Sequence, residues 1–121
     1  MASFLYQLAI DARDPAALAR FWAAALDQPV VYEADGYVIV SADEHSYPGL
    51  CFVPVPEDKA GKNRLHIDLN PDDRDAEVDR LIGLGARMSH AGQPPEATWV
   101  VLADPEGNEF CVLRPHASLT D

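Results

Sequence analysis

The chain has 121 residues, 48% hydrophobic and 24% charged, enough for one domain with its own core and no disulfide staples. Twenty acidic against nine basic side chains leave a net charge of −11, which argues against a nucleic-acid backbone as partner. Two cysteines make no disulfide framework and point to a reduced, cytoplasmic setting. No apolar run reaches membrane-spanning length, and the N-terminus lacks a basic segment followed by an apolar signal core.

Residues 4–11 read as a buried strand with one polar residue, Gln7, at its middle. Asp14-Pro15 supplies an N-cap and a first-turn proline, and Leu18, Phe21, Trp22, Ala25 and Leu26 recur at helical spacing, so a helix is expected over 15–26. Asp27 stands where a glycine usually stops a helix, and Pro29 confirms the stop. Strands are expected at about 29–34, 36–42 and 49–55. The first two are joined at Asp35-Gly36, and a polar loop holding a solvated His45 precedes the third. Residues 56–63 are polar and contain a glycine, the one convincing linker.

The pattern then begins again. Arg64 to Asn70 reads as a strand with a polar residue at every second position. Asp72 or Asp73 caps a helix whose apolar face is Val78, Leu81, Ile82 and Leu84, ended by Gly85. Strands follow at 86–91, 98–104 and 109–114. Between the last two, Asp104-Pro105-Glu106-Gly107-Asn108 suits a type I turn closed by a glycine bulge, a three-residue loop. That loop sets Asp104 opposite Asn108, Ala103 opposite Glu109, Val101 opposite Cys111 and Trp99 opposite Leu113. Asp104 is expected to cap its own turn.

Strand, helix and three strands thus occur twice: module 1 over about 4–55, linker 56–63, module 2 over about 64–115, within one domain. An offset of 59 residues places Gln7 on His66, Leu50 on Glu109 and Phe52 on Cys111. One helix per module covers one face of a four-stranded sheet. The other face of module 2 should carry Arg64, His66, Asp68, Trp99, Glu109, Cys111 and Leu113. That of module 1 should carry Leu5, Gln7, Ala9, Leu50, Phe52 and Pro54, with Tyr37, Ile39 and Ser41. The fold class expected is α+β, two βαβββ modules with curled mixed sheets forming a cup and helices outside. A mixed apolar and polar lining of this kind suits a small-molecule site.

The paired modules carry a resemblance, together with Asp14-Pro15 before Phe21-Trp22, the run Leu65-His66-Ile67-Asp68-Leu69 and the run from Ala103 to Leu113. The chain resembles the vicinal oxygen chelate superfamily of glyoxalase I, bleomycin-resistance proteins and extradiol dioxygenases, over roughly residues 4–115. Metal-dependent members place one ligand on the first and last strand of each module. The resemblance puts His66 and Glu109 there in module 2, both suitable for a divalent metal, but Gln7 and Leu50 in module 1, a weak donor and none.

The first reading is therefore a binding protein without a complete metal site, with no resident cofactor. It would enclose an apolar or aromatic organic ligand, as antibiotic-sequestering members do, against Gln7, Tyr37, Leu50, Phe52, Arg64, His66, Trp99, Glu109 and Cys111. Two enzymatic readings stay open: a divalent-metal lyase, isomerase or dioxygenase using His66 and Glu109, and a metal-free enzyme with Glu109 as general base. For His66 and Glu109 the plainer alternative is a mutual hydrogen bond or a pair with Arg64. The resemblance also implies a homodimer.

Overall fold

The computed structural model describes residues 2–89 and 96–121. The chain divides into two compact units, Met1–Lys59 and Ala60–Asp121, and the division falls inside the linker expected at 56–63. Each unit is a βαβββ module, so the expected α+β class and its doubled pattern are both present. No helix among the described residues is long and apolar enough to cross a membrane.

The first unit runs β1 (Gln7–Ala12), α1 (Pro15–Leu26), β2 (Val30–Ala34), β3 (Tyr37–Val40) and β4 (Gly49–Pro54). Its sheet has the order β1-β4-β3-β2, with β1 and β4 parallel and the other pairs antiparallel. Helix α1 begins as the sequence dictates: the Asp14 carboxylate accepts from the Ala17 amide at 3.1 Å, and Pro15 fills the first helical position. It ends on Asp27 in the left-handed region (φ 52°), the work usually given to glycine. Asp35 and Gly36 both have positive φ, 54° and 84°, so the β2–β3 connection is a two-residue turn of the primed type that matches strand twist.

Helix α1 buries Leu18, Ala19, Phe21, Trp22 and Ala25, and Phe21 and Trp22 meet edge to face with ring centroids 5.3 Å apart. Beneath them the register pairs Val38 with Phe52 and Val40 with Leu50, while Ile10 lies beside Phe52. Val38, Val40, Leu50 and Phe52 form the buried face, with Phe52 and Val40 at 0% exposure and Leu50 at 8%. This corrects the expected faces of module 1: Leu50 and Phe52 lie on the helix side, and it is Gly49 that shares the Gln7 row. The reason is the strand itself. From Gly49 to Phe52 all of β4 is buried, so it carries no alternation to read. The offset of 59 then missed its register by one residue, which flips every side chain.

The second unit runs β5 (Asp68–Leu69), α2 (Arg74–Leu84), β6 (Arg87–Met88), β7 (Val100–Ala103) and β8 (Glu109–Val112), in the sheet order β5-β8-β7-β6. The strand expected over 64–70 contracts to two paired residues; the one expected over 86–91 is paired at Arg87 and Met88, and residues 90–91 lie outside the described part. Asp73 rather than Asp72 caps α2, accepting from the Ala76 amide at 3.1 Å, and Gly85 at φ 125° follows the last turn. Only Val78 and Leu81 are buried along α2. Ile82 and Leu84, expected in its apolar face, are each 40% exposed.

The final hairpin has the expected register: Ala103 pairs with Glu109, Val101 with Cys111. Gly107 takes φ 90°, and the amides of Gly107 and Asp104 bond to the carbonyls of Asp104 and Asn108 at 2.8 and 2.9 Å. Asp104, 1% exposed, accepts from the amides of Glu106 and Asn108, both at 2.9 Å, and from the Asn108 side chain. It caps its own turn, as expected.

Candidate functional site

Because side chains alternate along β7 and β8, Leu102, Phe110 and Val112 go to the helix side and are almost wholly buried. Trp99, Val101, Glu109, Cys111 and Leu113 are left for the opposite face. With Lys62, His66 and Asp68 they line a hollow of about 440 Å³, within the size range of small-molecule sites. Trp99, Val101 and Leu113 give it an apolar wall, and the charged groups gather around Glu109 and His66.

The parallel pairing of β5 with β8 sets Asp68 beside Cys111. His66, two residues earlier, lies on the same face: its Nδ1 is 2.9 Å from the Asp68 carboxylate and 3.8 Å from the Cys111 sulfur. Glu109, whose side chain is 12% exposed, accepts from Lys62 Nζ at 2.9 Å. The cation set against Glu109 is thus Lys62 from the linker, where the sequence reading had named Arg64. The residue just after it, Asn63, donates to the Glu109 backbone carbonyl at 3.2 Å, which pins the linker's end beside β8. Burial pushes the Cys111 thiol up to about 11, with the Asp68 charge and hydrogen bond adding to it. Cys111 is therefore a protonated thiol at neutral pH.

The first unit has a hollow of its own, about 350 Å³, in which Gln7, Ile39 and Ser41 appear as expected. Tyr6, Tyr32 and Tyr47 also line it, with Asp43 and Glu44, and the Tyr6 and Tyr47 rings stack at 5.5 Å. Asp43 is held below the ordinary carboxylate range chiefly by the hydrogen bond it accepts from the His45 amide. His45 itself is exposed in the loop. Leu50 and Phe52 line neither hollow, since both lie under α1, and Tyr37 and Arg64 are exposed away from both linings.

Of the residues singled out in the sequence, the structure brings His66, Trp99, Glu109 and Cys111 together in the second unit and leaves Gln7 in the first. Lys62 and Asp68 were missed as site residues. Asp68 had a readable signal, its place two residues from His66 on one strand face. Lys62 had none, because a linker gives no period from which to infer direction. The four-position metal set that the resemblance implies does not fit these residues. Leu50 offers no donor and lies under a helix, Gln7 is a weak neutral oxygen donor, and Glu109 already holds a cation.

Residues 7–113 match the family described as the glyoxalase-like domain. Solved structures share the fold at low identity. An enzyme of the glyoxalase/bleomycin resistance protein/dioxygenase family from Burkholderia phytofirmans PsJN is 18% identical, with a TM-score of 0.73 over 94% of this chain and 100% of that one. The fosfomycin resistance protein FosX from Mesorhizobium loti is 20% identical, with a TM-score of 0.70 over 99% and 96%. TnmS3, an antibiotic-binding protein from Streptomyces sp. CB03234, is 17% identical, with a TM-score of 0.63 over 95% and 98%. Among curated proteins none matches the sequence.

Proposed function

The chain belongs to the glyoxalase-like domain family, and from that membership we propose that it binds a small organic molecule with a flat apolar body in the hollow of the second unit. Structural neighbours include an antibiotic-binding protein and a fosfomycin resistance protein, which makes antibiotic sequestration the leading role for such binding. The observation that carries the reading is the lining itself. Trp99, Val101 and Leu113 offer a surface on which a planar ring can lie, and Lys62, His66, Asp68 and Glu109 offer polar groups to orient it. The Lys62–Glu109 ion pair favours binding over either use of Glu109 in catalysis. A cation 2.9 Å away occupies a carboxylate oxygen that a metal or a reacting group would need. Two chains pair in this proposal, and the free, buried Cys51 and Cys111 support a reducing cytoplasmic setting.

The test uses fluorescence. Trp22 is buried in the first unit's core and Trp99 borders the hollow, so a planar antibiotic panel should quench Trp99 and leave Trp22 emitting. Trp99→Phe should abolish the quench. A true ligand at a hundredfold over its Kd should add about 2.7 kcal/mol of stability. Quenching that survives Trp99→Phe, or turnover of the bound compound, would overturn the reading. A sedimentation mass near a single 13.2 kDa chain would overturn the dimer.

A further inference from the structure

Three side chains of different chemistry converge in the second unit. Asp68 and Cys111 are direct partners across the parallel β5–β8 pair, and His66 precedes Asp68 by one full strand period. One donor atom from each, an imidazole nitrogen, a carboxylate oxygen and a sulfur, all lie within 4.8 Å of one another. The imidazole nitrogen is 2.9 Å from the oxygen and 3.8 Å from the sulfur. Tetrahedral zinc with bonds of about 2.0–2.1 Å to nitrogen and oxygen and about 2.3 Å to sulfur sets donor separations of about 3.3 Å for N–O and about 3.6 Å for N–S. The observed separations bracket these, one slightly short and one slightly long.

We propose that His66, Asp68 and Cys111 form a binding site for a zinc-like divalent ion, with three protein donors and a fourth position open to the hollow. The set differs from the one implied by the resemblance. It lies on one strand pair of one unit, takes nothing from Gln7 or Leu50, and leaves Glu109 with Lys62. A mixed sulfur, nitrogen and oxygen set selects zinc and its transition-metal neighbours over magnesium or calcium, which prefer oxygen alone. The local charge is favourable too. Lys62 offsets Glu109, and Asp68 brings one negative charge within the donor set itself.

Two events accompany binding. The His66–Asp68 hydrogen bond opens as both atoms turn to the ion, and the Cys111 thiol gives its proton to solvent, one proton per ion. The exposure of His66 and Asp68 gives the ion an entry path. The inference goes beyond the ligand reading and stands independently of it.

The experiment titrates the reduced full chain with Zn²⁺ against a chromophoric chelator, and separately with Co²⁺. One ion per chain is expected, with a thiolate-to-cobalt charge-transfer band in the near ultraviolet. Loss of a ligand should cost no less than the roughly 10–100-fold that loss of a supporting hydrogen bond costs, so Asp68→Asn and Cys111→Ser should each weaken binding at least that far. Cys111→Ser should also erase the band. Glu109→Gln should keep both stoichiometry and band. Circular dichroism checks that the buried Cys111→Ser strand still folds, and the exposed Asp68→Asn keeps the test decisive if it does not. Absence of the band in the unaltered chain, or equal loss of binding in Glu109→Gln, overturns the proposal. The Trp99 quench, measured with chelator present, reports on the organic ligand alone and separates the two failures.

Discussion

The two units share one pattern and hold it together differently. In the first, α1 buries a tryptophan, a phenylalanine and a leucine against Phe52, Val38 and Val40, and β1 pairs with β4 over six residues. In the second, α2 buries only Val78 and Leu81, and β5 pairs with β8 over two. What the second unit lacks in apolar anchors it partly replaces with polar clasps. Asp104 gathers the last hairpin. Asn70 donates to the His116 carbonyl and accepts from its amide, at 2.9 and 2.8 Å. The comparison teaches where a repeated module can carry chemistry: on the copy whose open face keeps polar groups in the strands. In the first copy the corresponding row holds Gly49, and Ala9 pairs with Cys51.

If that contrast is right, the largest loss of stability comes from the first unit's core. Trp22→Ala, at a site 1% exposed, should remove about 3–5 kcal/mol by denaturant unfolding. Leu81→Ala in α2 should cost less, about 2–3 kcal/mol, because its exposed neighbours Ile82 and Leu84 can settle into the space. A larger loss at Leu81 than at Trp22 would break the comparison. Leu50→Ala sharpens it further. A residue under α1 should lose about 2–4 kcal/mol on truncation while the Trp99 quench stays unchanged. The opposite result, stability kept and ligand binding altered, would put Leu50 back on the open face.

That residue also marks how far the sequence could be read. Helix α1 with its Asp14 cap and the final hairpin from its turn to the Val101–Cys111 pair were legible, because each rests on local rules: a capping carboxylate, a proline at the first turn, a glycine forced to positive φ. The open face of the second unit was legible too, since His66, Asp68, Glu109 and Cys111 stand at period two among apolar neighbours. Strand β4 was not. Its residues are apolar on both faces, so only the long-range pairing of Gln7 with Gly49 fixes which way Leu50 points. The Lys62–Glu109 pair was hidden for a related reason: it spans 47 residues and starts in a linker.

A smaller effect tests the clasp that closes the second unit. Asp104→Ala would leave the amides of Glu106 and Asn108 without their carboxylate acceptor at a part-buried turn. The expected cost is about 1–3 kcal/mol, with hydrogen exchange accelerating first at those two amides. Asp104→Asn keeps one acceptor oxygen and should recover part of the loss. Equal effects of the two variants would mean that the carboxylate holds the turn by charge and not by geometry.

The smallest effect lies on α2 itself, where charge takes up work that packing does in α1. Arg80 donates to both oxygens of Glu77, at 2.7 and 3.0 Å, and this hydrogen bonding, aided by the guanidinium charge, holds the Glu77 carboxyl below its ordinary range. A carboxyl whose folded pKa is depressed adds stability that is present above its unfolded pKa and fades as pH falls through the folded value. Arg80 is half exposed, so water and salt screen the pair, and Arg80→Ala should cost only about 0.3–0.5 kcal/mol at neutral pH. The difference between the two proteins should shrink toward zero in acid and in high salt, read as the gap between their denaturant midpoints. Helix α1 has no acidic residue in its first turn and no basic one in its last, so it has no counterpart to this pair at either end. A gap for Arg80→Ala that persists undiminished in acid would assign the loss to packing of the arginine stem, and α2 would then resemble α1 more than its surface suggests.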